Sequence, residues 1–85
     1  MKIVFTRHAL DKFVYLKELG VVIKKQHVVS VLKNPEHLDD KTDYPNLIAS
    51  GKLDEERVLR VVYRVEDETM IVITFYPARK GRYYA

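Results

Sequence analysis

Two stretches in the C-terminal third alternate so regularly that they leave few folds open. From Arg57 to Val65, Leu59, Val61, Tyr63 and Val65 fall on one side, with Val58, Arg60, Val62 and Arg64 on the other. From Met70 to Tyr76, Ile71, Ile73 and Phe75 oppose Met70, Val72, Thr74 and Tyr76. A period of two marks a β-strand with unlike faces. Glu66-Asp67-Glu68-Thr69 supplies the polar break between them. The arginines set the register, because a slip of one residue would carry Arg60 and Arg64 to the side of Ile73 and Phe75. With Asp67-Glu68-Thr69 as the loop, Arg60 is predicted opposite Tyr76 and Arg64 opposite Val72. One face then backs onto helices, and the other is available to a partner.

The rest of the chain supplies those helices. Lys2 to Phe5 is a short apolar strand, and Thr6 is placed to cap a helix from about Arg7 to Leu19 that buries Ala9, Phe13 and Leu16. Gly20 tolerates the left-handed conformation of a helix end. A second helix covers Ile23 to Lys33, with Ile23, His27, Val28, Val31 and Leu32 on one side, until Pro35 disfavours helical geometry at Asn34. Between the breaks at Pro45 and Ser50-Gly51, strands are expected at His37 to Tyr44 and Asn46 to Ala49. The 85 residues suffice for one compact core. The expected fold is one α+β domain over residues 1–85, with two N-terminal helices on one face of a small antiparallel sheet.

Several function classes drop out. The chain has no cysteine, which removes disulfides, thiol nucleophiles and thiolate metal sites and fits a reducing, cytoplasmic setting. No apolar run approaches the ~18 residues of a membrane span. His8, His27 and His37 lack metal-site spacing, and no phosphate-binding glycine loop is present, so no cofactor is expected. Charge is polarised along the chain. Residues 1–33 hold seven basic and two acidic side chains, 34–56 two and seven, and 57–85 six and three. From Arg79 onward three cations follow without an anion, beside Tyr83 and Tyr84, where a polyanion is readily held.

Four segments together resemble the RelE/ParE toxin-like superfamily. They are Thr6-Arg7-His8-Ala9, Val31-Leu32-Lys33-Asn34-Pro35-Glu36, Leu59-Arg60-Val61-Val62-Tyr63, and Val72-Ile73-Thr74-Phe75-Tyr76-Pro77 running into Arg79-Lys80-Gly81-Arg82-Tyr83. The resemblance implies a RelE-like fold whose open sheet face and C-terminal tail form the binding surface. In the best-understood members that surface cuts ribosome-bound mRNA without a metal, using basic and tyrosine residues. ParE-like relatives act on DNA gyrase, and other members have no nuclease activity. Leu19 stands where a charged residue is expected, and Leu47 stands where a basic one often follows Pro-Asn.

Metal-free RNA cleavage needs a base for the 2′-hydroxyl, cations for the phosphate and an acid for the leaving oxygen. Arg60, Arg79 and Arg82 are the candidate cations and, with Tyr83, the candidate catalytic set. Arg64, Tyr76, Lys80 and Tyr84 are candidate nucleic-acid contacts, the tyrosines by stacking. The competing reading is that Arg60 and Arg64 merely solubilise an exposed sheet face. His8 is read as a structural helix-start residue, His27 as packing, and His37 has no clear partner; Lys24, Lys25 and Lys33 read as a solvated helix face. The leading expectation is an RNA- or ribosome-binding toxin-type domain with a cognate antitoxin, and a homodimer is left open. The alternative is a non-catalytic module for a protein or nucleic acid.

Overall fold

The computed structural model of the chain describes residues 1–83, with side chains described for residues 1–81. The elements run β1 (Lys2–Phe5), α1 (Arg7–Glu18), α2 (Lys25–Lys33), β2 (His37–Asp39), β3 (Leu47–Lys52), β4 (Arg57–Glu66), β5 (Thr69–Arg79) and α3 (Lys80–Tyr83). The five strands form one sheet in the order β1-β5-β4-β3-β2. β2 through β5 pair antiparallel, while β1 lies parallel to β5 at one edge. The expected α+β arrangement with two N-terminal helices is present, but the sheet is mixed rather than antiparallel. The physical reason is the connection: two helices separate β1 from the rest of the sheet, so β1 can lie alongside β5 without a hairpin.

Thr6 caps α1 as its sequence position predicts, accepting at Oγ1 from the Ala9 N–H at 3.1 Å. The same hydroxyl donates to the Ile73 carbonyl at 3.1 Å, and the Thr6 N–H reaches the Val72 carbonyl at 3.0 Å. At the other end, Gly20 takes a φ of 84°. The Gly20 and Val21 N–H groups close back on the Lys17 and Leu16 carbonyls, a Schellman arrangement. α2 starts two residues later than the apolar pattern suggests. His27 Nδ1 accepts from the Lys24 N–H at 3.0 Å, so this histidine serves the helix start as well as packing.

The hairpin register is half as expected. Arg57↔Arg79 through Val62↔Thr74 follow the arginine-based alignment, including Arg60 opposite Tyr76. Beyond that point Tyr63 pairs with Val72 and Arg64 with Ile71, so Ile73 is the extra residue of a bulge. The turn is correspondingly shorter, Asp67-Glu68 between the paired Glu66 and Thr69, with Asp67 at φ 55°. The expected Arg64–Val72 pairing is thereby corrected. Val72 and Met70 turn into the core, and Ile71 turns to the other face.

The core lies between the helices and one sheet face. Ala9 and Leu16 of α1 and Val28, Val31 and Leu32 of α2 meet Ala49, Leu59, Val61, Tyr63, Val72 and Phe75. Phe13 joins the layers, with its ring 5.8 Å from Phe5 and 4.5 Å from Phe75. β2 and β3 depart from the expected bounds. Asp39 ends β2 early by accepting from the Lys41 and Thr42 N–H groups, an Asx-type turn. β3 runs straight through Ser50-Gly51, since a Cβ on Gly51 would sit 3.1 Å from a Val31 methyl. Gly51 there serves a close helix–sheet approach rather than a break.

Thr6→Val should remove both hydroxyl bonds at once while keeping the side-chain shape. The expected loss is about 2 kcal/mol, from a missing cap and an orphaned carbonyl, or roughly 10 °C in melting temperature for a domain of this size. Thr6→Ser should recover most of it; equal melting of Thr6→Val and wild type by circular dichroism would refute the dual role.

Candidate nucleic-acid interface

Strand pairing places four polar residues in one line across the sheet. His37 of β2 is opposite Ser50 of β3, Ser50 opposite Arg60 of β4, and Arg60 opposite Tyr76 of β5. Directly opposed residues share a face, and this is the face turned away from α1 and α2. Arg60 Nε donates to Tyr76 Oη at 3.0 Å, and Arg60 Nη1 donates to Ser50 Oγ at 3.3 Å. The adjacent row, nearer the hairpin turn, is Asp39, Ile48, Val62 and Thr74. In it Thr74 Oγ1 is buried without a hydrogen-bond partner.

Burial on this face is deeper than the alternation suggested. Arg60 is 5% exposed, Ser50 and Val58 are fully buried, and Val62 is 7% exposed. The picture of Arg60 as a solubilising surface charge is therefore corrected. A guanidinium out of water needs acceptors, and Ser50 and Tyr76 supply two of them. A nearby charge adds to this: Asp39 lies in the neighbouring row, and Arg60 contributes to holding its carboxyl down. The larger causes are the hydrogen bonds that Asp39 accepts from the Thr42 side chain and from the backbone of Thr42 and Lys41, which lower it to about 2.

The other expected site residues are spread more widely. Arg64 is on the same face as Arg60 and exposed, 3.5 Å from Glu66 in a surface ion pair. Arg79 is exposed but pairs with Arg57 in the register, which puts it on the helix side of the sheet, opposite to Arg60. Asp54 balances Arg57 there, bonding its guanidinium at 2.7 and 2.9 Å. Lys80 is exposed at the start of α3, its N–H bonded to the Glu56 carbonyl at 2.9 Å. Glu56, Arg79, Lys80 and Gly81 line a cleft of about 330 Å³. The side chains of Arg82 and Tyr83, and all of Tyr84, lie outside the described residues. Arg60 and Tyr76 are thus brought together as expected, while Arg79 is not on their face.

A family model matches residues 5–77, under the description Domain of unknown function (DUF4258). The chain belongs to the DUF4258 family. No curated protein and no solved structure matches it. The family match spans the whole row, from His37 to Tyr76, so the site lies inside the DUF4258 domain and not in an appended segment. His8 is exposed in the first turn of α1, on the helix layer, and His27 is engaged at the start of α2. His37 is therefore the histidine that this DUF4258 domain places on the Arg60 face. Among the described residues no group of His, Asp and Glu is arranged to hold a metal ion, and no helix is long and apolar enough to cross a membrane.

Two outcomes follow from this geometry. Arg60→Met should cost about 2 kcal/mol, because it removes charge-assisted bonds from a buried site, whereas Arg64→Met should stay within about 0.5 kcal/mol. Equal urea midpoints for the two variants would contradict the burial. The depressed Asp39 carboxyl stabilises the fold fully above its unfolded value of 3.8, and that contribution is lost as pH falls toward about 2. The gap in urea midpoint between wild type and Asp39→Asn should therefore close between pH 6 and pH 2. A gap that is constant or widens on acidification would show that the carboxylate charge is not what matters.

Proposed function

We propose that this DUF4258 domain is a RelE-like, toxin-type domain that binds RNA at the ribosome and cleaves it without a metal. The observation that carries the reading is the His37-Ser50-Arg60-Tyr76 row, a set of proton-exchanging, hydrogen-bonding and cationic groups on one sheet face. Flat sheet faces with aromatic side chains suit single-stranded RNA, whose bases are free to stack. Arg64, four residues along β4 and so roughly 13 Å from Arg60, offers a second phosphate contact. Lys80, exposed just past the end of β5, offers a third. A cytoplasmic antitoxin-like protein that covers the same face belongs to this reading.

A second reading, a non-catalytic module for a protein partner, is favoured by a different surface. Phe13, Val14, Val22 and Ile23, with Lys17 and Lys24, line an apolar groove of about 280 Å³. Val14 and Val22 are 60% and 58% exposed there, and contiguous exposed apolar surface marks interaction sites.

Binding of a fluorescent single-stranded RNA at increasing salt separates the two. Wild-type affinity should fall steeply, and Arg64→Ala and Lys80→Ala should each weaken binding and flatten the logarithmic slope by roughly 0.7 per lost phosphate contact. Their melting temperatures should hardly change, since both side chains are exposed. Absence of salt-dependent binding at low ionic strength leaves the protein-partner reading in its place.

A further inference from the structure

We infer that the apolar groove on the helix layer receives the Tyr44 loop of a second copy of this chain, so that two copies pair by exchanging loop and groove. A second copy is the occupant that the protein-partner reading leaves open. The pairing does not depend on RNA binding, because neither surface includes the Arg60 row. The groove is lined by Phe13, Val14, Lys17, Val22, Ile23 and Lys24, and its volume is about 280 Å³. A cavity of about 150 Å³ already admits benzene, so there is room for an aromatic ring. Leu10, one helical turn before Val14 on the same side of α1, is exposed and extends the apolar strip. The described lining carries two lysines and no carboxylate. A fitting occupant is therefore an aromatic side chain flanked by acids.

The chain presents such a group itself. Tyr44, in the loop between β2 and β3, is 80% exposed, more than any other large hydrophobic side chain among the described residues. Asp39, Asp40 and Asp43 stand beside it, with Lys41 as the one base in that run. The loop backbone is tied to itself. Asp39 Oδ1 accepts from the Lys41 and Thr42 N–H groups, the Tyr44 N–H reaches the Lys41 carbonyl at 3.3 Å, and the Asn46 N–H reaches the Asp43 carbonyl at 2.9 Å. An ordered loop loses little conformational freedom on docking, and buried tyrosines are frequent anchors of interfaces. The carboxylates meet the Lys17 and Lys24 rim with opposite charge, which favours and orients the contact. One copy does not fill its own groove. Phe13 packs against Phe5 of β1 and Phe75 of β5, whereas the loop joins β2 and β3 at the other edge of the sheet, roughly 10–14 Å away by strand spacing. A single tyrosine buries only about 150–250 Å², far below the ~1,200 Å² of a stable interface. Two reciprocal contacts about a two-fold axis double that area and close the assembly at two copies. The result is a weak dimer that forms at high protein concentration.

Sedimentation of the full chain without RNA, from about 1 μM to about 500 μM, spans the affinities expected of so small a contact. The average mass should rise from one copy toward two. Tyr44→Ser and Val14→Asp should each weaken association about tenfold or more, while melting temperatures hardly move, since both side chains are exposed. Lys17→Glu combined with Lys24→Glu should weaken it comparably. Adding Asp40→Lys and Asp43→Lys to that chain should restore association to within threefold of wild type, a rescue that only loop-to-groove pairing produces. Arg64→Ala, on the opposite face of the sheet, should associate as wild type. A chain that stays monomeric at the highest concentration overturns the inference. So does a Tyr44→Ser variant that associates within twofold of wild type, or an assembly that grows past two copies. Each of these outcomes leaves the RNA reading untouched, and a dimer that binds no RNA overturns that reading while the pairing stands.

Discussion

One side-chain hydroxyl joins the two layers of this domain. Thr6 Oγ1 accepts from the first turn of α1 and donates to the Ile73 carbonyl at the bulge of β5. A bulge leaves a ladder carbonyl without its regular partner, and here the cap residue supplies that partner. The consequence runs along β5 in both directions. On the turn side of Ile73, Met70 and Val72 face the helices and pair with Ile3 and Phe5 of β1. On the far side, Phe75 faces the helices and Tyr76 faces Arg60. Without the extra residue, one register could not place Val72 and Phe75 in the same core.

This explains why the hairpin was legible at one end only. Arg60 fixes its own neighbourhood, because burying a charge among Phe75 and the helices is costly. Toward the turn, Met70, Ile71, Val72 and Ile73 are apolar in both phases, so alternation gives equal credit to either register. The turn carries no glycine, and nothing in Glu66-Asp67-Glu68-Thr69 announces that Asp67 adopts the left-handed conformation. The helices were readable because their stripes, Thr6 and Gly20 agree with one another. The parallel edge strand was not, since four apolar residues carry no information about which neighbour they join.

The site divides in the same way. Arg60 beside Tyr76 follows from alternation within one hairpin, a local relation. Ser50 and His37 enter the row through β3 and β2, whose register depends on where an acidic stretch of loop returns to the sheet. Asp39, by accepting from Lys41 and Thr42, decides that return, and an aspartate that caps a turn looks in sequence like any solvated acid. Arg79 misled for the opposite reason. It sits near Tyr76 in sequence, but an odd number of strand residues separates sides, and Arg79 falls with Arg57 on the other face.

Arg60 is also the place where stability and the order of the polar row are hardest to separate. Its neighbours Ile48, Val58 and Val62 are buried, so an aliphatic side chain at this position would escape the guanidinium's own desolvation but would deprive the Ser50 and Tyr76 oxygens of their donor. Ser50 and Tyr76, by accepting from it, help to make a guanidinium there tolerable. Those same bonds fix the phenol of Tyr76 and hold the cation at the centre of the row. The groups that make the buried arginine affordable are thus the groups that order the site, and a change at Ser50 or Tyr76 acts on both together.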